Sequence, residues 1–111
     1  MTVTIYHNPR CSKSRQTLAL LQEKGIEPKV IAYLETPPSA SELTEILAKL
    51  GKAPEEIIRR KEAKEEGIIE LRGEELIKAL SEHPRAIERP IVVSGDKAAM
   101  GRPPEAVLDI L

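Results

Sequence analysis

Aromatic residues and cysteine are scarce in this sequence of 111 residues. It contains no Phe and no Trp, and Tyr6 and Tyr33 are its only aromatic residues. The core must therefore be aliphatic, and two rings are too few to stack the bases of a single-stranded nucleic acid. The single cysteine, Cys11, excludes an internal disulfide and is typical of a cytoplasmic protein, whose thiols stay reduced.

A dominant charge and long apolar segments are also missing. The net charge is −1 at pH 7, with the two signs interspersed, so there is no basic field for a nucleic acid or an anionic membrane. The apolar runs are short, for example residues 18–21 and 90–93, and none is long enough to span a bilayer. The N-terminus lacks the basic and then apolar pattern of a signal peptide. We expect neither a nucleic-acid partner nor membrane association.

Metal and nucleotide motifs are absent as well. One cysteine and two well-separated histidines, His7 and His83, are too few for a zinc or iron site of the usual ligand count. No GxxxxGK[ST] or GxGxxG run indicates a nucleotide cofactor. The sequence therefore predicts no metal site and no bound cofactor.

The first third of the chain has the pattern of a βαβ unit. Residues 2–6 form a short β-branched run that predicts a strand, and residues 12–24 have helical spacing and end at Gly25. Residues 29–34 alternate as a second strand. A strand, a helix and a strand within about thirty residues predict parallel pairing with a right-handed crossover.

The middle of the chain, residues 37–83, predicts helices only. Ser39 opens the first of them with a capping box, and Pro54 begins a second. Residues 61–67 are a charged polar stretch, and residues 73–82 predict a third helix with one apolar face.

Strand patterns return near the end of the chain. Residues 90–93 and 97–100 predict a hairpin, and Pro103 begins a final helix. We expect three aliphatic residues on the inner face of that helix: Val107, Leu108 and Leu111. The order β-α-β, helical insert, β-β-α predicts an α/β protein with a thioredoxin-like fold. The predicted organisation is one domain, residues 1–111, with a core of residues 1–36 and 84–111 and a helical insertion at residues 37–83.

Cys11 lies between the first strand and the first helix, where ligands bind in folds of this kind. A helix N-terminus favours the thiolate, and basic side chains close in sequence add positive charge: Arg10, Lys13 and Arg15. His7 would help when it is protonated. We interpret Cys11 as a nucleophilic thiolate. The alternatives are that Cys11 is an inert, buried small hydrophobe and that His7 is a solvated turn residue.

Two arginines stand directly before prolines, in the pairs Arg89-Pro90 and Arg102-Pro103. In each pair a stiffened chain lies beside a guanidinium fork that is suited to gripping an anion. Pro90 at the start of a strand also fits a cis-proline turn. For an arginine without such a context, such as Arg59, a surface charge is the simpler interpretation.

Four motifs together resemble the glutaredoxin-linked arsenate reductase (ArsC) family. They are residues 6–15 (YHNPRCSKSR), 33–39 (YLETPPS), 89–93 (RPIVV) and 102–103 (RP). They occur in the family's order, and the resemblance covers essentially the whole chain. It implies a thioredoxin-like enzyme that acts on arsenate or a similar oxyanion, with glutathione as co-substrate and glutaredoxin as partner.

The resemblance also implies a mechanism. Cys11 would attack arsenate, glutathione would attack the thiol–arsenate adduct, and glutaredoxin would resolve the product to release arsenite. His7 would favour the Cys11 thiolate. The implied oxyanion-binding residues are Arg59, Arg89 and Arg102, and Ser14 and Arg15 would add a hydroxyl and a charge.

Two other functions suit a protein of this size and element order. One is a glutathione-dependent thiol reductase, which needs a thiolate but not three arginines. The other is a redox-responsive transcription regulator of the same fold, which is not an enzyme. Many such regulators carry a CxxC switch, and here Ser14 occupies the position of the second cysteine, so no intramolecular switch forms.

Overall fold

A computed structural model of the chain describes residues 2–111, which contain a four-stranded sheet. Its strands are β1 (Val3–His7), β2 (Lys29–Ala32), β3 (Ile91–Ser94) and β4 (Lys97–Met100). They lie in the order β2-β1-β3-β4, with β1 parallel to β2 and antiparallel to β3, and β3 antiparallel to β4. Ile5 in the middle of β1 pairs with Val30 and Val92. This is the predicted thioredoxin-like fold.

Two compact units divide the described chain. The first contains the residues up to Tyr33 together with Arg89–Leu111, and the second is Leu34–Glu88. The whole sheet belongs to the first unit. Nowhere in residues 2–111 is there a helix long and apolar enough to cross a bilayer.

Helix α1 (Ser12–Glu23) connects β1 to β2 in the first unit, as predicted. It ends where Gly25 adopts a φ of 79°, a left-handed conformation that glycine adopts without a steric penalty. Its neighbours include the 3₁₀ helix Pro104–Ile110. The core of this unit is an aliphatic cluster centred on Ile5, Leu21, Val92 and Val107.

The inner face of the last helix differs from the prediction. Val107 is fully buried, but Leu108 is only partly buried and Leu111 is 45% exposed. The helix is 3₁₀, with three residues per turn, so positions four apart do not share a face as they nearly do in an α-helix. Leu111 also lies beyond the last helical residue, Ile110.

The second unit is helical, as predicted for the middle of the chain. It contains α2 (Ala40–Leu50), α3 (Arg60–Glu65), α4 (Gly73–Glu82) and the 3₁₀ helices Pro54–Ile57 and Pro84–Ala86. The predicted capping box opens α2: the Glu42 N–H donates to Ser39 Oγ at 3.1 Å, and the Ser39 N–H donates to Glu42 Oε1 at 3.0 Å. Within residues 34–88 the only β-pairing described is an isolated bridge between Ile58 and Ile87.

Helix α3 was not predicted, because its residues fall in the stretch assigned as charged and polar. Of its six residues only Ala63 is buried. A helix that buries one small side chain leaves no apolar periodicity in the sequence. The segment after Pro54 is also shorter than expected, a single 3₁₀ turn that ends at Ile57.

Candidate active site

The loop between β1 and α1 is folded by hydrogen bonds to Asn8. The backbone carbonyl of Asn8 accepts from the Cys11 N–H at 3.0 Å, and its side-chain Oδ1 accepts from the Arg10 N–H at 3.0 Å. This is the local bonding that makes Asn a common turn residue. It brings Cys11 to the position directly before the first residue of α1.

The Cys11 thiol lies at the N-terminus of α1 and is 8% exposed. Burial, the largest single influence, raises the pKa of Cys11. The backbone N–H groups of Ser14 and Lys13 donate to the sulfur and lower the pKa. The positive charges of Arg89 and Arg102 lower it further, so that the net pKa of Cys11 is below its ordinary value. Although Cys11 is buried, its surroundings favour the thiolate.

Arg102 contacts the sulfur through its guanidinium group. Its Nη2 lies 3.8 Å from Cys11 Sγ, and its Nε donates to the backbone carbonyl of Arg89 at 2.8 Å. The Arg89–Pro90 peptide bond is cis, as the sequence suggested, and the Arg102–Pro103 bond is cis as well. The structure thus brings two of the three predicted anion-binding arginines into the electrostatic environment of Cys11.

The basic side chains nearest to Cys11 in the sequence, those of Arg10, Lys13 and Arg15, are exposed. Arg10 and Lys13 have exposed side chains, and Lys13 acts on the sulfur through its backbone N–H. Arg15 Nη1 donates to the carbonyl of Pro9 at 2.8 Å. That these three side chains add positive charge at Cys11 stays a prediction, whereas the charges of Arg89 and Arg102, from the other end of the chain, lower its pKa.

His7 is buried and its partner is Ser14. His7 Nδ1 lies 2.6 Å from Ser14 Oγ, which also accepts from the Asn8 N–H at 3.0 Å. Burial, and then the charge of Arg15, lowers the pKa of His7. This environment disfavours the protonated imidazole. Assistance of the thiolate by a protonated His7 stays a prediction, whereas the alternative of a solvated turn residue is wrong, because His7 is buried in β1.

Ser14 connects these groups. Its side chain is completely buried, its hydroxyl bonds to His7 and Asn8, and its backbone N–H donates to Cys11. Ser14 Oγ accepts from the Asn8 N–H, and which partner donates in its hydrogen bond with His7 Nδ1 depends on the tautomer of the imidazole. Ser14 therefore fixes the orientation of His7 and the first turn of α1 together.

Arg59 lies in the second unit, directly before α3. Its Nη2 forms an ion pair with Glu62 Oε2 at 2.9 Å, and its Nη1 donates to the Arg85 carbonyl at 3.4 Å. Its role in holding an oxyanion stays a prediction.

Two residues of this region were missed by sequence reasoning. Thr17 is fully buried on the same face of α1 as Ser14, and its Oγ1 donates to the Lys13 carbonyl at 2.8 Å. Gly101, directly before Arg102, is buried against Thr17 and Pro90. The available signal for Thr17 was its spacing of three from Ser14, which places both on one helix face.

The side chains of the described residues also indicate which chemistry the site suits. Among residues 2–111 no group of three or more His, Cys, Asp or Glu side chains is arranged to hold a metal ion. What the site contains is a thiolate with backbone N–H donors and guanidinium groups around it, a combination suited to nucleophilic attack on an anion.

The site is a cysteine with a lowered pKa at the start of the first helix of a thioredoxin-like fold. The profile of the ArsC family matches residues 6–110, and the chain belongs to that family. An arsenate reductase of Haemophilus influenzae is 51% identical over 116 residues, which cover 100% of both proteins. An uncharacterized protein of Escherichia coli, YfgD, is 52% identical over 114 residues. That match covers 98% of this chain and 96% of YfgD.

Solved structures agree with this assignment. A structure described as an arsenate reductase from Vibrio cholerae superimposes with a TM-score of 0.92 at 51% sequence identity. The match covers 100% of this chain and 98% of that one. The resemblance read from the four sequence motifs is confirmed.

Proposed function

We propose that this protein is an arsenate reductase in which the Cys11 thiolate is the nucleophile. The observation that carries the proposal is the environment of Cys11 Sγ, with a lowered pKa, backbone donors from α1 and Arg102 Nη2 at 3.8 Å. The relatives named arsenate reductases, about half identical in sequence, support the same substrate. An anion attracted by the arginines would be delivered to the sulfur that attacks it.

The proposed reaction uses Cys11 as a recycled nucleophile. Its thiolate attacks the arsenic of arsenate, a sulfur–arsenic bond forms, and one oxygen leaves as water after protonation. Glutathione then attacks the arsenic of this adduct, its sulfur–arsenic bond forms, and a second oxygen leaves as water. A glutaredoxin thiolate attacks the glutathione sulfur, which breaks that sulfur–arsenic bond, leaves its electron pair on arsenic and forms the glutathione–glutaredoxin mixed disulfide. Arsenic thus gains two electrons, one from each thiol, and water cleaves the remaining bond between Cys11 and arsenic, so that arsenite leaves and the Cys11 thiolate is restored.

The arginines are proposed to hold the oxyanion. Arg102 and Arg89 already act electrostatically on Cys11, and each guanidinium offers a planar fork of donors that matches two oxygens. Arg59 is proposed as a third cation, and substrate would then compete with Glu62 for it. Ser14 and Arg15 are proposed to act less directly, Ser14 by fixing the first turn of α1 and Arg15 by contributing charge.

The test is direct measurement of arsenite. Purified protein with arsenate, glutathione and glutaredoxin should form arsenite, and Cys11→Ser should abolish turnover. Ser12→Ala is the matched control, because Ser12 is the neighbouring residue and its side chain is exposed. Omitting glutathione or glutaredoxin in turn tests the electron donors separately. Arsenite formation by the Cys11→Ser protein at the wild-type rate would overturn the proposal.

Arg102→Lys tests the oxyanion role. Lysine keeps the charge and loses the fork, so KM for arsenate should rise while the free energy of unfolding changes little, since the Arg102 side chain is exposed. We expect a loss in kcat/KM of about tenfold or more, equivalent to the ~1.4 kcal/mol or more that one charge-assisted hydrogen bond contributes. An unchanged kcat/KM would remove Arg102 from the binding site.

A further inference from the structure

The segment that carries Arg102 is attached to the segment that carries Arg89 by two consecutive hydrogen bonds. The Gly101 N–H donates to the Pro90 carbonyl at 2.9 Å, and Arg102 Nε donates to the Arg89 carbonyl at 2.8 Å. Arg102 Nη2 lies 3.8 Å from Cys11 Sγ in this arrangement. The distance between guanidinium and sulfur therefore depends on where the backbone of residues 101–102 sits.

Gly101 fits this position because it has no side chain. Its φ is not in the left-handed region, so conformational freedom is not the reason for a glycine here. A Cβ at this position would overlap Thr17 Oγ1, lie 2.7 Å from Pro90 Cγ and lie 3.2 Å from Thr17 Cγ2. By contrast, a Cβ at any of four other glycines would have no other group within 4 Å: Gly25, Gly51, Gly67 and Gly73.

Thr17 and Pro90, the two neighbours of Gly101, have little room to move. Thr17 is fully buried, and its Oγ1 is committed to the Lys13 carbonyl at 2.8 Å in the first turn of α1. Pro90 is a fully buried ring. An added methyl group would therefore displace the backbone of residues 101–102 rather than Thr17 or Pro90, because both of these are closely packed in the interior.

We propose that Gly101 is a positioning residue that, through its close contact with Thr17 and Pro90, sets the distance from the Arg102 guanidinium to the Cys11 thiolate. The inference rests on the proposed function only in taking Cys11 as the reacting thiolate. The buried contact between Thr17 of α1 and Gly101, which directly follows β4, would thus serve to position Arg102.

The experiment measures the rate of Cys11 alkylation by iodoacetamide as a function of pH, which needs no arsenate. In Gly101→Ala, Arg102 moves away from the sulfur, so the pH midpoint should rise and the rate at pH 6.5 should fall about threefold. A purely structural role would lower the free energy of urea unfolding and leave the midpoint where it is. A folded Gly101→Ala protein with the wild-type midpoint would overturn the inference.

A double-mutant cycle shows whether the effect passes through Arg102. In an Arg102→Gln background the guanidinium is already gone, so adding Gly101→Ala should leave the midpoint unchanged. The same rise in both backgrounds would contradict the inference, because Gly101 would then act on Cys11 by another route. Failure of arsenate turnover in the wild-type protein would affect the proposed function and not this cycle.

Thr17→Ala supplies the second variant. It removes two of the three atoms that the new methyl group meets, so Thr17→Ala/Gly101→Ala should have a midpoint closer to the wild type than Gly101→Ala has. If Gly101→Ala does not fold, the double variant is compared with Thr17→Ala alone. The remaining Pro90 contact should then still raise the midpoint, and equal midpoints would overturn the inference.

Discussion

The two ends of helix α1 bury different kinds of side chain. Towards its C-terminus the buried surface is aliphatic, and Leu21 packs in the cluster that contains Ile5, Val92 and Val107. At its N-terminus the buried side chains are polar: His7, Asn8, Ser14 and Thr17. The first region stabilises the fold by removing apolar surface from water, which needs no particular geometry. The second is stable only if every polar group has a partner, and the hydrogen bonds that satisfy this need also place the reactive sulfur.

The polar end of α1 is the end that carries the candidate site. Ser14 uses its hydroxyl for His7 and Asn8 and its backbone for Cys11, so one residue joins the packing of the helix to the electrostatics of the thiol. No aliphatic residue is able to do this. The apolar end of the same helix holds the scaffold on which this polar end is built.

Leu21→Ala should have the largest effect on stability. Leu21 is completely buried, and truncating a buried leucine removes apolar contact and leaves a cavity, at a cost of about 2–5 kcal/mol in the free energy of unfolding. Urea unfolding measures the loss, with the exposed neighbour Gln22→Ala as control. The alkylation midpoint of Cys11 in the folded protein should not move. A shift in that midpoint would show that the two ends of α1 are not separable.

Ser14→Ala should have an effect of similar size, for a different reason. It removes little apolar surface but leaves the Asn8 N–H and His7 Nδ1 buried without the Ser14 hydroxyl, and each orphaned group costs about 1–3 kcal/mol. The loss should be seen in urea unfolding and should exceed that of the exposed Ser12→Ala. Equal losses for the two variants would mean that the polar end is not stabilised by this network.

Local patterns predicted the elements of the fold well where the determinants are close in sequence. The capping box of Ser39 and Glu42 and the glycine that ends α1 depend on residues a few positions apart, and both form as predicted. The sheet was predictable because β-branched runs and their connections fix the pairing. Helix α3 was not predictable, since only Ala63 of its six residues is buried.

The candidate site was predictable in its nucleophile but not in its electrostatics. Cys11 was found because a lone cysteine between a strand and a helix is a local signal. Arg89 and Arg102, whose charges lower its pKa, are about 80 and 90 positions away, and proximity in the sequence does not reveal them. Arg89 and Arg102 were selected by the prolines that directly follow them and by the family resemblance. The close contact of Gly101 with Thr17 leaves no mark in the sequence, because it depends on two distant segments meeting in space.

His7 should make the smallest contribution, visible as a dependence of stability on pH. The pKa of folded His7 lies below the ordinary value of 6.5, so below that pH the unfolded chain binds more protons than the folded one. The free energy of unfolding therefore decreases as the pH falls from 7.5 to 5.5, by at most about 1.4 kcal/mol per pH unit for one group. Burial of the neutral imidazole beside Ser14 is the main cause.

The measurement compares His7→Asn with the parent protein by urea unfolding at several pH values. Asparagine keeps a polar atom near the position of Nδ1 and does not titrate, so the slope between pH 5.5 and 7.5 should be smaller in the variant. Both proteins should carry Cys11→Ser, because a thiol with a lowered pKa makes the folded state more stable as the pH rises through the same region. Equal slopes would mean that His7 is as easily protonated in the folded protein as in the unfolded chain. The polar end of α1 would then tolerate a charge that its burial is expected to exclude.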